Sequence, residues 1–306
     1  MQNQTALESN NLWFSGLLPI LYPEFYTRLS SILKRYRIEY NLLPNTKDIW
    51  ARDYMPVQIG RNDFVQFVYD PDYLKSKKYR HLKSNPDDVC AGLNIVRTKS
   101  KLVVDGGNVI RSTDKIIMCD KVFNENPNVN PNDLIEELEE YFKTDKIYFI
   151  PWDKHDFTGH ADGMVRFIDN DNVLINEQTN ENQEQQRNLR IAISNAGLNT
   201  IELPFKPTNE NTNESAIGLY LNYLEMERTL IVPVFGKKED DDAIKILESV
   251  FKGKTVVPID CNEIAIKGGV LNCISWNISI KEYSLREKLV MTGQFAHCDL
   301  YNIIQS

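Results

Sequence analysis

The chain has 306 residues, 42% of them hydrophobic and 25% charged, the balance of a soluble globular protein long enough to bury a core without metal or disulfide support. A formal net charge of -8 leaves no basic excess to neutralise phosphates, which argues against nucleic acid as the main partner and is compatible with a cationic one. No apolar run is long enough to span a bilayer, so no membrane partner is expected.

Short runs rich in Val, Ile, Phe and Tyr alternate with amphipathic stretches along the whole chain. A helix is predicted at 23–36, then strands at 64–69, 101–104 and 115–119. The next helix, 131–143, places Leu134, Ile135, Leu138, Tyr141 and Phe142 at helical spacing opposite a glutamate-rich face. Asn130 is its cap and Pro131 its first residue. Strands follow at 146–150, 164–168 and 173–176, and Gly197 ends a helix at 183–196 where a left-handed residue is wanted. The remaining elements are a helix at 215–224, a strand at 229–234, a helix at 240–251, strands at 255–259 and 273–278, and a last helix at 285–292. The polar stretches 85–88 and 208–213 read as surface loops or lids, and neither has the character of an interdomain linker. Residues 1–306 are therefore read as one domain, in which no fixed sequence period marks repeats.

The cysteines are Cys90, Cys119, Cys261, Cys273 and Cys298, an odd number with no CxxC pair, so neither a disulfide framework nor a zinc ribbon is indicated. Free thiols suit a reducing compartment, and the first residues lack a basic stretch and cleavage site of the secretory kind. The expected location is the cytoplasm.

Four segments carry chemistry. In Gly159-His160-Ala161-Asp162-Gly163, a strand beginning at Asp162 would put residues two apart on one face, so that imidazole and carboxylate point into one cavity. The same pair also serves to satisfy backbone groups at a turn; the flanking glycines favour close approach to a ligand. Cys273 follows Gly268-Gly269 with Asn272 and Ser275 as polar neighbours. Most cysteines are small buried hydrophobes, and Cys90, Cys119, Cys261 and Cys298 are read so. Cys273 becomes a nucleophile if a cation, whether His160 or a charged substrate, favours its thiolate. In Trp50-Ala51-Arg52-Asp53, Asp53 is placed to accept two parallel N–H bonds from a guanidinium, with Trp50 covering the adjoining face. Arg52 is expected to prop up the carboxylates, because it would repel a cation. The alternative is a surface turn with Trp50 as a core anchor. Val104-Asp105-Gly106-Gly107-Asn108 leaves a strand into a tight turn, and Asp-Gly is a hairpin signal in its own right.

In chain order these segments resemble the agmatine deiminases and bacterial-type peptidyl-arginine deiminases, a branch of the guanidino-group-modifying enzymes. Trp50-Ala51-Arg52-Asp53 is similar to the family's W-x-R-D element, and Val104-Asp105-Gly106-Gly107 to its acid-Gly-Gly turn. Gly159-His160-Ala161-Asp162 matches G-H-x-D, and Gly268 through Ser275 the nucleophile segment. Residues 215–223 and 230–236 are similar as well, so the likeness runs from about 48 to 278. The resemblance implies a five-bladed α/β propeller, the pentein fold, of ββαβ-type units around a central pocket. It implies hydrolysis of a guanidinium to a ureido group with release of ammonia, within polyamine metabolism, and no metal or organic cofactor. Carried over by position, Cys273 is the nucleophile and His160 the general acid/base. Asp53 and Asp162 hold the guanidinium and share in catalysis, Trp50 packs beside them, and Asp105 is grouped with the substrate-binding positions. Three departures stand out: Asn272 where a histidine often precedes the nucleophile, Asp105 where glutamate is usual, and Trp276-Asn277 in place of a Gln-rich stretch.

The expected partner is thus a small cationic guanidino compound, agmatine or a relative, with oligomeric state, a homodimer included, left open. Arginine, peptidyl arginine and amidino transfer to an amine are alternatives on the same scaffold. A propeller that only binds a partner would need no nucleophile or base. A metal hydrolase using His155, His160 and Asp162 lacks a convincing ligand set.

Overall fold

The computed structural model describes residues 9–93, 95–154, 156–177, 183–205 and 215–280. Among the described residues, the strands form five three-stranded sheets that share one plan. Each begins with an antiparallel pair, crosses over through a helix, and returns with a third strand parallel to the second. Two are Val57–Gly60, Asp63–Val68 and Arg97–Val103, and then Ile110–Arg111, Ile116–Cys119 and Ile147–Ile150. Two more are Val165–Phe167, Asn172–Asn176 and Asn199–Leu203, and then Leu224–Glu225, Thr229–Val234 and Thr255–Asp260. The fifth is built from both ends of the chain: Ser275–Ile278 pairs antiparallel with Asn11–Ser15, which runs parallel to Tyr40–Leu43. The fold is the five-bladed α/β propeller of the pentein type.

The middle strand of each blade is its most apolar because it is covered on both faces. Ile116–Cys119 is buried throughout, and in Thr229–Val234 only Val234 is partly exposed. Crossover helices close the outer faces. Pro23–Arg35 buries Phe25, Leu29 and Leu33, and Pro131–Phe142 buries Leu134, Leu138 and Phe142, each set on one helical stripe. The Asn130 side chain accepts the Asn132 N–H at the start of the second helix, as its sequence suggests. Gly197 has φ +68°, the left-handed turn expected after the Gln183–Asn195 helix.

Four expectations about elements change. The segment 215–224 is not a helix but a series of turns leading into Leu224–Glu225; its apolar residues Ala216, Tyr220, Leu221 and Tyr223 join the core from turns. The 104–108 turn closes no hairpin: it carries the chain from Arg97–Val103 of one blade to Ile110–Arg111 of the next. The strand expected from Asp162 begins only at Val165, because Ala161–Gly163 forms a helical turn. The 85–88 stretch opens a short helix, Pro86–Cys90, capped by the Asn85 side chain. The expected lid at 208–213 and helix at 285–292 lie outside the described residues, as do His155 and Cys298. Among the described residues, no helix is long and apolar enough to cross a membrane.

Candidate active site

The segment leading into the first strand of each blade delivers one or two polar groups to a common centre. Asp53 precedes Val57–Gly60, Asp105 precedes Ile110–Arg111, and His160 and Asp162 precede Val165–Phe167. Asn222 precedes Leu224–Glu225, and Cys273 precedes Ser275–Ile278. All six are buried, with Asn222 0% exposed and Cys273 8%.

The Asp48 carboxylate accepts the Trp50 N–H at 3.0 Å and starts the turn that carries Asp53 inward in Ala51–Tyr54. The opposite wall is the Gly106–Asn108 turn. A Cβ on Gly107 would stand 2.5 Å from His160 Nδ1 and 2.7 Å from Asp53 Oδ1, so only glycine leaves room for that pair. The imidazole then lies between two acids: Nε2 is 3.1 Å from Asp105 Oδ2 and Nδ1 is 3.5 Å from Asp53 Oδ1. The Tyr73 hydroxyl donates to the same Asp105 oxygen at 3.1 Å, and its ring meets the imidazole edge-on.

On the far side, Cys273 Sγ lies 3.6 Å from Asp162 Oδ2, which also accepts the Asn272 side-chain N–H at 2.7 Å. Gly269 makes this approach feasible, since a Cβ there would fall 2.7 Å from the Trp50 ring and 3.1 Å from Sγ. Trp50 and Cys273 are therefore neighbours across Gly269. Arg52 supports the Asp162 and Asp53 carboxylates by charge rather than by the hydrogen bonds its side chain makes. Its backbone N–H donates to the Cys273 carbonyl at 3.0 Å, and its guanidinium donates to the Asn272 carbonyl at 3.4 Å and to Asn277 Oδ1. Arg52 holds the main chain on either side of the thiol.

Electrostatics follow from acids crowded away from water. Burial pushes the Asp53 carboxyl well above the usual carboxylate range, and Asp105, Asp162 and Asp48 add to this against the pull of His160. Burial disfavours the His160 imidazolium, but Asp53, Asp105 and Asp162 outweigh it and lift the group to about 10. Burial raises the Cys273 thiol, Asp162 and Asp53 raise it further, and N–H donors from Asn222 and Val270 pull it back. The empty site therefore favours protons on sulfur, on imidazole and on the Asp53 carboxyl, and a bound cation would favour release of the acid's proton. Asp53 Oδ1 and Asp105 Oδ1 are buried without a hydrogen-bond partner. A planar cation bearing several N–H groups satisfies both the charge and the unmet acceptors.

All six residues singled out from the sequence (Trp50, Asp53, Asp105, His160, Asp162 and Cys273) border this centre. His160 and Asp162 meet there through a turn rather than by strand alternation. Asn222 and Tyr73 carry no motif of their own. For Asn222 the available signal is position: it precedes its blade as Asp53, Asp105 and Asp162 precede theirs. Cys90, Cys119 and Cys261 are buried elsewhere with free thiols. Among the described residues, no three His, Cys, Asp or Glu side chains are placed to hold a metal ion.

A model of the family described as Porphyromonas-type peptidyl-arginine deiminase matches residues 23–278. The chain is 26% identical over 204 residues to an agmatine deiminase of Medicago truncatula, covering 56% of this chain and 54% of that one. Among solved structures, agmatine deiminase of C. jejuni superposes with a TM-score of 0.73 at 18% identity, covering 90% of this chain and 95% of that one. An amidinotransferase from Microseira wollei superposes with a TM-score of 0.55 at 13% identity over 92% of this chain and 98% of its own.

Proposed function

The chain belongs to the family of Porphyromonas-type peptidyl-arginine deiminases, and from that membership and the geometry of the centre we propose that, as one domain, it hydrolyses a small guanidino compound to the ureido product and ammonia. Agmatine or a related alkylguanidine is the proposed substrate, in keeping with the names of the relatives in Medicago truncatula and C. jejuni. The observation that carries the reading is the placement of one thiol beside one acid, with an imidazole held between two others, all in a buried centre with unmet acceptors.

The guanidinium carbon is a weak electrophile because three nitrogens share its charge. Asp53 and Asp162 accept its N–H groups, fix its plane and draw the charge toward two of the nitrogens, with Trp50 packing beside it. Orientation of this kind is worth up to about 7–11 kcal/mol of a barrier when the reacting atoms are aligned. The bound cation also favours ionisation of Cys273, offsetting the acids that hold the thiol protonated in the empty site. The thiolate attacks the guanidinium carbon, forming a C–S bond. His160 delivers its proton to the departing nitrogen as that C–N bond breaks, and ammonia leaves a thiouronium on Cys273. His160 then takes a proton from water as the water oxygen bonds to carbon. The C–S bond breaks, the ureido product forms, and the sulfur recovers its proton. Asp105, on Nε2, orients the imidazole through both stages. No metal or organic cofactor enters the scheme.

Purified protein should release ammonia in a screen over agmatine, arginine, a peptidyl arginine and short guanidines, with the carbamoyl product appearing in equal amount. Cys273→Ala should abolish that release and keep the wild-type melting curve. Wild-type turnover by this variant would reject the covalent route, and a new guanidine formed on an added amine, with the donor's alkylamine released in place of ammonia, would point to amidino transfer.

A further inference from the structure

Asn222 is fully buried, belongs to none of the four motif segments, and contacts the candidate nucleophile by every polar atom of its side chain. Its Oδ1 accepts three backbone N–H groups of the nucleophile loop: Val270 at 3.3 Å, Asn272 at 3.1 Å and Cys273 at 3.2 Å. Its Nδ2 donates to Cys273 Sγ at 3.2 Å and to Asp162 Oδ2 at 3.3 Å. Its own carbonyl accepts the Asn272 N–H at 3.1 Å. The three N–H donors also fix which way the carboxamide faces, since a flipped side chain would turn its NH2 toward them and leave the Cys273 N–H without an acceptor. The NH2 group must therefore face the sulfur and the acid.

We propose that Asn222 is a positioning residue for the Cys273 thiolate: its oxygen gathers the nucleophile loop while its N–H holds the sulfur anion beside Asp162. The inference rests on Cys273 being the nucleophile. Asp162, needed to hold a cation, is 3.6 Å from the sulfur and opposes its ionisation. A neutral donor that bonds both groups offsets their repulsion without cancelling the negative field that attracts the substrate. A lysine or arginine here would stabilise the thiolate but also repel a guanidinium. The carboxamide is the group that meets both demands, and it also satisfies a tight loop whose buried N–H groups need an acceptor.

The test separates gathering the loop from supporting the sulfur. Asn222→Asp keeps an oxygen for the three N–H groups and loses the NH2 donor; Asn222→Ala loses both. Alkylation of Cys273 by iodoacetamide, followed peptide by peptide from pH 6 to pH 11, reports the thiolate without any guanidino substrate. In both variants the midpoint is expected to rise by about one unit or more, a tenfold or greater loss of rate at pH 8. A wild-type profile in folded Asn222→Asp, with Asn222→Ala alone impaired, would reduce the residue to a loop support and overturn the proposal. Should neither variant fold, the unsubstituted protein decides. The Asn222 side-chain amide signals in a 15N correlation spectrum should shift along the Cys273 titration and stay flat in Cys273→Ala. Signals flat in both would overturn it too. These readouts are independent of turnover: the expected shifts without ammonia release from any guanidine would sink the proposed activity alone, whereas turnover with an unshifted Asn222→Asp profile would sink this inference alone.

Discussion

His160 sits 3.1 Å from one carboxylate and 3.5 Å from another. The imidazole is lifted to about 10 against an unfolded value near 6.5. Its contribution to folding is therefore complete below about 6.5 and is lost as pH rises toward 10, because over that range the native state holds a proton that the unfolded chain has released. The raised Cys273 thiol acts in the same direction further into the alkaline range. Urea unfolding should show stability falling between pH 7 and pH 10 with a slope of up to about 1.4 kcal/mol per pH unit for that proton, and His160→Asn should flatten it. An unchanged slope in the variant would assign the loss to other groups. Asp53 permits a second prediction. As a buried acid with one oxygen that lacks a hydrogen bond, it is costly to the empty fold apart from its attraction for His160, and it suits a bound cation. Asp53→Asn should weaken guanidinium binding at least tenfold by calorimetry while moving the melting temperature little. Matched losses in both would mark Asp53 as structural.

The working elements are turns, which explains how the sequence could be read for the site and misread for its geometry. Gly106–Asn108 and Ala161–Gly163 are single helical turns, too short for hydrophobic periodicity to register. Their residues were legible because His, Asp and Gly in those orders are chemically unusual, and their paths were not. The turns at 215–223 misled for the opposite reason: Ile217, Tyr220, Leu221 and Leu224 recur at helical spacing, yet Tyr220, Leu221 and Leu224 are buried, and Ile217 partly buried, by packing from turns and a strand. Asn222 was hidden inside that pattern. Long amphipathic helices such as Pro131–Phe142 were legible almost to their ends because cap and stripe agree locally. Gly269 shows what a turn must concede to chemistry. Gly269→Ala drives a methyl group between Trp50 and Cys273, so it should cost about 1–3 kcal/mol in urea unfolding and slow Cys273 alkylation. Wild-type alkylation in that variant would show that Gly269 does not set the position of the sulfur.

At the scale of the molecule, the ring is closed by the two ends of the described chain. Trp276, one of the departures from the family pattern, is 2% exposed at this seam. It packs against Trp13 and Phe64, with its indole N–H donating to the Pro56 carbonyl at 2.9 Å. Asn277 donates to the Glu225 carbonyl and accepts from Arg52, joining three blades behind the thiol. Trp276→Ala should cost about 3–5 kcal/mol by urea unfolding, from the cavity and the carbonyl left unpaired. A loss under about 1 kcal/mol would show that this seam contributes little. Composition, local periodicity and motif order were enough, with no coordinates, to suggest the alternation of strands and helices and the residue types at the centre, because propensity, capping and side-chain chemistry act over a few neighbouring residues. What needed the tertiary structure was the meeting of Asp53, Asp105, His160, Asp162, Asn222 and Cys273, the seat of Asn222 under the sulfur, and the joining of Asn11–Ser15 to Ser275–Ile278. Those contacts bridge long and unequal stretches of chain, and burial and closure of the propeller select them over local preference.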